Sequence, residues 1–256
     1  MRIAVCCKGV PVDTTLECAH VANGDVHFRD TEFYINEFDA YALEAAVSLK
    51  NAYKAETVAL TVGPLRAQEV LYIALAKGID QALRIDAETS LPERIASGLI
   101  PPLKELAPQL VLVGVQSEDW MGGEVGVYLS RALGMGLAYA VVEISDLDET
   151  HVRVKKEIGG GKKAEMRLTL PAVLCVQSGI QRLRYLSNVK RQKARNLPVK
   201  LWGKLDMVKA GQTISGMMAY EAREVALPSR EGHAEMIEGA RPEKAGRLLE
   251  IIRKAV

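Results

Sequence analysis

Charge of one sign is the first thing missing from this sequence. Across 256 residues, 33 Lys and Arg oppose 32 Asp and Glu, a formal net charge of +1. That leaves no global field to recruit nucleic acid or an anionic membrane. Long hydrophobic runs are missing too, since none approaches the roughly 20 residues that span a bilayer. The first strand pattern starts at Arg2, leaves no room for a signal or transit peptide, and points to a cytoplasmic, prokaryotic protein. Cysteine is sparse: Cys6, Cys7, Cys18 and Cys175 form no CxxC, and no Cys/His cluster has zinc spacing. Cys6 and Cys7 are strand neighbours that point to opposite faces, so they read as buried free thiols. His20, His27, His151 and His233 are scattered, none beside a Ser, Cys or carboxylate in a catalytic pattern. The sequence offers neither a metal site nor an acid–base pair.

What is present is ordinary globular composition, 48% hydrophobic and 25% charged, enough for one large core or one core plus an arm. The chain is organised around residues 110–136. Leu110–Val113 is an apolar run of buried-strand length, Gly122-Gly123 follows, and Val125, Leu129, Ala132 and Leu133 then mark a helical face. A strand that restarts as a helix after a glycine turn leaves backbone N–H groups and the positive end of a helix dipole pointing outward. Such a turn is either a phosphate cradle or a plain tight connection. Its spacing matches neither GxGxxG nor GxxxxGK[ST].

The rest of the first half repeats the rhythm. Strands are expected at Ile3–Cys7, Thr57–Val62 and Ala82–Ile85, with a hairpin or excursion within 14–35 broken at Asn23-Gly24. Helices are expected from Asn36 to about Lys50, with Phe38, Tyr41, Ala42, Ala45, Ala46 and Leu49 as its stripe, and from Arg66 to Lys77, closed by Gly78. Ser90-Leu91-Pro92-Glu93 has capping-box spacing before another helix, which Pro101-Pro102 should kink or divide. This alternation predicts an α/β fold, a mostly parallel sheet with helices on both faces, Rossmann-like in class. Ligands in such folds lie beyond the carboxyl ends of the strands. The polar tips there, Lys8-Gly9, Asn36, Gly63-Pro64 and Gln116–Gly123, would line one crevice if they converge.

After residue 138 the pattern becomes strand-like at Tyr139–Ile144, His151–Ile158 and Ala164–Leu170, the last two joined by Gly159-Gly160-Gly161-Lys162-Lys163 as a hairpin loop. A further apolar run follows Leu170-Pro171-Ala172 as far as Val176. Arg182, Arg184, Lys190, Arg191, Lys193 and Arg195 then crowd a short stretch, as a solvated loop or as a docking surface for an acidic partner or anionic cofactor. Tyr185 alone could stack there, which argues against nucleic acid. From about Leu201 the core pattern fades until Pro242–Val256, a helix with dipole-matched ends. The chain therefore divides into a nucleotide-binding α/β domain at 1–200 and an extended interaction arm at 201–256.

These residues, in this order, resemble the beta subunit of an electron transfer flavoprotein over roughly 1–200. The likeness rests on Val5-Cys6-Cys7-Lys8-Gly9-Val10-Pro11, Ile35-Asn36-Glu37-Phe38-Asp39 with Ala42–Ala46, Gly63-Pro64 and Ala74–Asp80. It continues through Leu112–Gly126, Val154–Gly160 with Leu170–Val173, Arg184–Ser187 and Lys193–Arg195. The resemblance implies an adenine-nucleotide-hydrolase-like fold and a heterodimer whose alpha subunit carries the redox-active FAD. It implies electrons taken from an acyl-CoA or related dehydrogenase and passed to a membrane quinone oxidoreductase or another acceptor. It implies a structural AMP in this subunit, or, in bifurcating relatives, a second FAD. Carried over by position, Cys6, Lys8, Asn36 and Gly63 would line the cavity, and Phe38 would lie near the partner's flavin. Gln116, Asp119, Gly122, Gly123, Glu124, Val125 and Gly126 would surround the phosphate. The arm would pack on the alpha subunit, and Leu186, Asn188, Val189, Lys190 and Arg191 would dock the dehydrogenase.

Two departures stand out. Glu124-Val125-Gly126 replaces the family's usual Gln-Thr-Gly or Gln-Val-Gly, and a carboxylate there suits the helix but repels a phosphate. Val125 resembles the bifurcating group, while Asn36-Glu37-Phe38-Asp39 lacks its doubled Asp, which leaves AMP and FAD both open. Asn188 stands where many relatives place an anchoring leucine, so docking is expected through charge, or through Leu186 or Val189. An ATP-using enzyme of the same fold is the rival, but Lys8-Gly9-Val10-Pro11 lacks the Ser-Gly-Gly run of the adenylating type. A nucleotide-binding interaction module without redox role is a third reading. The sequence is best read as an electron-carrier subunit with no substrate chemistry of its own.

Overall fold

The computed structural model of the chain describes residues 1–12, 19–22, 25–28, 32–87, 89, 91–203, 226 and 236–255. Its centre is a sheet whose middle strands are apolar on both faces, as strands covered on both sides must be. In β1 (Arg2–Cys6), Ile3 and Val5 point into one core while Ala4 and Cys6 point into the other. In β8 (Leu110–Gly114), Leu110 and Leu112 divide from Val111 and Val113 in the same way. Helix α1 (Glu37–Tyr53) and helix α2 (Glu69–Lys77) cover the first face, and α3 (Pro92–Leu106) and α4 (Val125–Leu133) cover the second.

The remaining main-sheet strands are β6 (Glu56–Val62), β7 (Gln81–Ile85), β9 (Gly136–Leu147), β10 (His151–Glu157), β11 (Lys163–Thr169), β12 (Ala172–Val176) and β13 (Lys200–Trp202). Nine strands run in the order β11-β10-β9-β12-β8-β1-β6-β7-β13. All neighbours are parallel except β9–β10 and β10–β11, where the glycine loop closes an antiparallel hairpin. The expected mostly parallel α/β architecture is therefore the observed one. Two small ladders stand apart: β2 (Gly9–Pro11) with β5 (Phe33–Ile35), and β3 (Ala19–Ala22) with β4 (Asp25–Phe28). The break expected at Asn23-Gly24, like Cys18 and Ser90, lies outside the described residues.

Three local expectations are corrected. The helix holding Pro101 and Pro102 is not divided but runs as one element from Pro92 to Leu106. Both prolines are buried, and tertiary packing of that face offsets the backbone bonds they remove. Leu91, with extended backbone and no side-chain cap bond, precedes that helix, which places Glu93 one position short of a capping box. The first turn of the helix expected from Arg66 is a 3-10 turn, Leu65–Gln68, directly after Pro64.

A second compact unit, 226–256, contains helix α6 (Arg241–Ala255). Leu248, Leu249, Ile251 and Ile252 on that helix are each about half exposed. Among the described residues no helix is long and apolar enough to cross a membrane.

Candidate functional site: a crevice at the carboxyl ends of the strands

A crevice of about 1040 Å³ opens where β1, β6 and β8 end. Lys8, Gly9, Asn36, Gly63, Pro64, Gln116, Ser117, Asp119, Gly122 and Gly123 line it, so the polar strand tips do converge. Asp39 ties two of the tips together. The backbone N–H of Lys8 donates to its Oδ2 at 2.8 Å and that of Gly114 to its Oδ1 at 2.9 Å. A Cβ at Gly114 would collide with that carboxylate, so the glycine is a condition of the contact. Burial pushes the Asp39 carboxyl up to about 7, against the pull of those two donors. Asn36 bridges a third tip: its Nδ2 donates to the Gln116 carbonyl at 2.9 Å, and its Oδ1 accepts from the Glu118 N–H at 3.1 Å.

The end of the crevice at α4 presents uncapped backbone N–H groups beside the carboxylates of Glu124 and Asp119. Backbone N–H groups in a helix's first turn have no intrahelical partner, and α4 closes its first bond from Tyr128 N–H to the Glu124 carbonyl. Glu124 stands at the N-cap without capping those groups. The Tyr128 hydroxyl instead donates to its Oε2 at 3.1 Å. Gly123 adopts a left-handed φ of +65°, and a side chain there would strike the Tyr139 hydroxyl. Lys8 Nζ lies 2.7 Å from Asp119 Oδ1 and 3.4 Å from Ser117 Oγ, a cation held at the same end.

Of the sequence-named cavity residues, Cys6, Lys8, Asn36, Gly63, Gln116, Asp119, Gly122, Gly123, Glu124 and Val125 share this wall. Gly126 does not, and Phe38, expected beside the partner's flavin rather than in the crevice, lies outside it too. Phe38 packs beside Gly114, and Gly126 lies against Cys175 Sγ and Val113 behind the wall. Burial drives the Cys6 and Cys7 thiols well up and pushes Cys175 up to about 12, so none is a nucleophilic thiolate near neutral pH. Sequence reasoning missed Thr61, Arg66 and Phe33, which also line the crevice, as does Trp120 within the expected Gln116–Gly123 tip. Thr61 had a signal, a polar residue inside an apolar strand run. Phe33 and Arg66 had none, because only chain closure brings them there; the Arg66 guanidinium stands 5.7 Å from the Phe33 ring centroid.

The basic segment forms a separate surface on the same unit. Glu44 of α1 is buried and receives Lys77 Nζ at 2.5 Å, Arg184 Nε at 2.6 Å and the Arg184 backbone N–H at 3.1 Å. Burial alone would raise the Glu44 carboxyl, but its bonds to Lys77 and Arg184 more than offset that and hold it below its usual value. The clamp fixes the segment that leads to α5 (Asn188–Ala194), which Ser187 caps through its Oγ. Tyr185, 91% exposed, and Val189, 64% exposed, project from this segment. Leu186 is half-buried, and Arg191 turns inward to Glu69 at 3.4 Å. Asn188 and Lys190 are exposed.

Residues 26–204 match the electron transfer flavoprotein domain family. The chain is also similar to the electron transfer flavoprotein subunit beta of Methylophilus methylotrophus, 31% identical over an alignment of 225 residues, with 85% of each chain covered. With a parallel α/β sheet, a crevice at its carboxyl edge and similarity of that extent, the chain belongs to the electron transfer flavoprotein family, among its beta subunits, and functions in electron transfer.

Proposed function

We propose that this chain is the nucleotide-holding half of a heterodimer whose alpha subunit carries the redox-active FAD. The observation that carries this reading is the uncapped N-terminus of α4 at a large crevice, with the Glu124 carboxylate drawn to Tyr128. With one oxygen held that way the helix N–H groups stay uncapped, and the other, beside Gly122, would turn aside for a ligand phosphate to reach them. AMP would lie with its phosphate at Gly122–Val125, its charge balanced by the helix dipole, and would brace the strand tips as a structural ligand. The crevice also exceeds what a mononucleotide fills, and that favours a second reading, an FAD in the same place and electron bifurcation. Flavin supplies the redox chemistry when bound; this chain's residues position and shield it.

Electrons would pass from an acyl-CoA-type dehydrogenase to a quinone reductase or another acceptor. The dehydrogenase would dock on the segment around Leu186, Asn188, Val189, Lys190 and Arg191. The exposed Val189 suits an apolar anchor better than the half-buried Leu186, and Tyr185 adds an exposed aromatic beside it. The half-exposed apolar residues of α6 fit an arm that packs on the alpha subunit. The test is cofactor content of the complex co-purified with its alpha partner, by acid extraction and chromatography. One FAD and one AMP per heterodimer supports the structural-AMP reading, and two FAD supports bifurcation. A complex without nucleotide in the beta crevice overturns both.

A further inference from the structure

Thr61 interrupts the apolar run of β6. It is fully buried, lines the crevice, and its Oγ1 has no hydrogen-bond partner. The obvious internal partner fails. Arg84 is its in-register neighbour on β7, so the two side chains share a face of the sheet. Arg84 Nη1 donates to the Gly63 carbonyl at 2.9 Å and to Asp86 Oδ1 at 2.6 Å, while its Nε is itself buried and unpaired. The two groups therefore do not satisfy one another. A valine would fill the same space without the desolvation penalty of an unpaired hydroxyl.

The position adds a direction. Strand β6 lies two strands from β8, across β1. At ~4.8 Å per strand this sets Thr61 about 10 Å along the crevice floor from the tip that leads to α4. A nucleotide whose phosphate lies at α4 extends its sugar and base over that distance. We infer that the Thr61 hydroxyl is a specificity-determining contact, hydrogen-bonding the nucleoside part of the ligand, through a sugar hydroxyl or a base nitrogen. The inference rests on the crevice being a nucleotide site.

The test titrates AMP, adenosine and FAD into the full-length wild-type, Thr61→Val and Thr61→Ser proteins after exhaustive dialysis, with the thermal midpoint of each nucleotide-free protein. Thr61→Val is expected to weaken AMP and adenosine by the same factor, ~tenfold. It is expected to leave the nucleotide-free midpoint unchanged or raised, and Thr61→Ser should bind as the wild type does. Equal affinity in Thr61→Val and wild type overturns the inference. So does weakening of AMP with adenosine unaffected, which would place the contact on the phosphate. So does a lowered midpoint that accompanies the lost affinity, the mark of a structural role. A wild-type protein that binds none of the three ligands overturns the crevice reading itself, and the role of Thr61 with it.

Discussion

Glu44→Gln is a perturbation with a large expected effect on the folded chain. The Glu44 side chain is 3% exposed and the Lys77 side chain 9%, so their ion pair is almost wholly out of water. Arg184 adds a second charged bond, and Lys77 also donates to the Arg184 carbonyl at 3.2 Å. Removing the charge of Glu44 strands the Lys77 ammonium inside the protein. Breaking a buried pair from one side costs about 3 kcal/mol or somewhat more. In a chain of this size that lowers the thermal midpoint by about 6–12 °C. The carboxyl is held below its unfolded value, so its contribution is complete above about pH 4.3 and is lost as pH falls through the folded value. Urea unfolding at pH 7, followed by circular dichroism, reads the loss directly. Glu44→Gln/Lys77→Met removes both charges and should recover most of the lost stability, since the cost lies in the unpaired cation. A loss under about 1 kcal/mol for Glu44→Gln, or no recovery in the double variant, would refute the assignment of this cluster as a buried clamp.

Three further outcomes follow from the site. Asp39 has a folded-state carboxyl raised to about 7, so stability should fall as pH rises from about 4 to 7 and level off above that, by roughly 4 kcal/mol in all. Asp39→Asn should flatten that slope in urea midpoints measured against pH, and an unchanged slope would assign the titration elsewhere. Tyr128→Phe frees the Glu124 carboxylate to cap α4, so calorimetric AMP affinity should fall about threefold to tenfold and return in Tyr128→Phe/Glu124→Gln. Lys190 and Lys193 are exposed on α5, and Lys190→Glu/Lys193→Glu should slow electron transfer from the dehydrogenase at low salt by about tenfold or more. Rates unchanged from wild type would remove charge from the docking account.

Much of the fold was legible because strand and helix periods are local. The apolar run Leu110–Val113 read as a strand buried on both faces, and it lies in the central sheet beside the further apolar run, Ala172–Val176. Pro101 and Pro102 misled because propensity prices one helix at a time, whereas α3 is held by the sheet beneath it. The capping box failed by one residue, within the usual uncertainty of a helix start.

For the site, the sequence by itself determined which chain segments carry polar tips: Lys8-Gly9, Asn36, Gly63-Pro64 and Gln116–Gly123. It also determined that a helix begins just past Gly123, because turn chemistry and amphipathic spacing are encoded within a few residues. Only the tertiary structure decided that Thr61, Arg66 and Phe33 join those tips, that Phe38 and Gly126 stand outside the wall, and that the Glu124 carboxylate is bonded by Tyr128. Those facts depend on strand order and rotamers, which are set by the packing of segments far apart in the chain and leave no periodic trace along it.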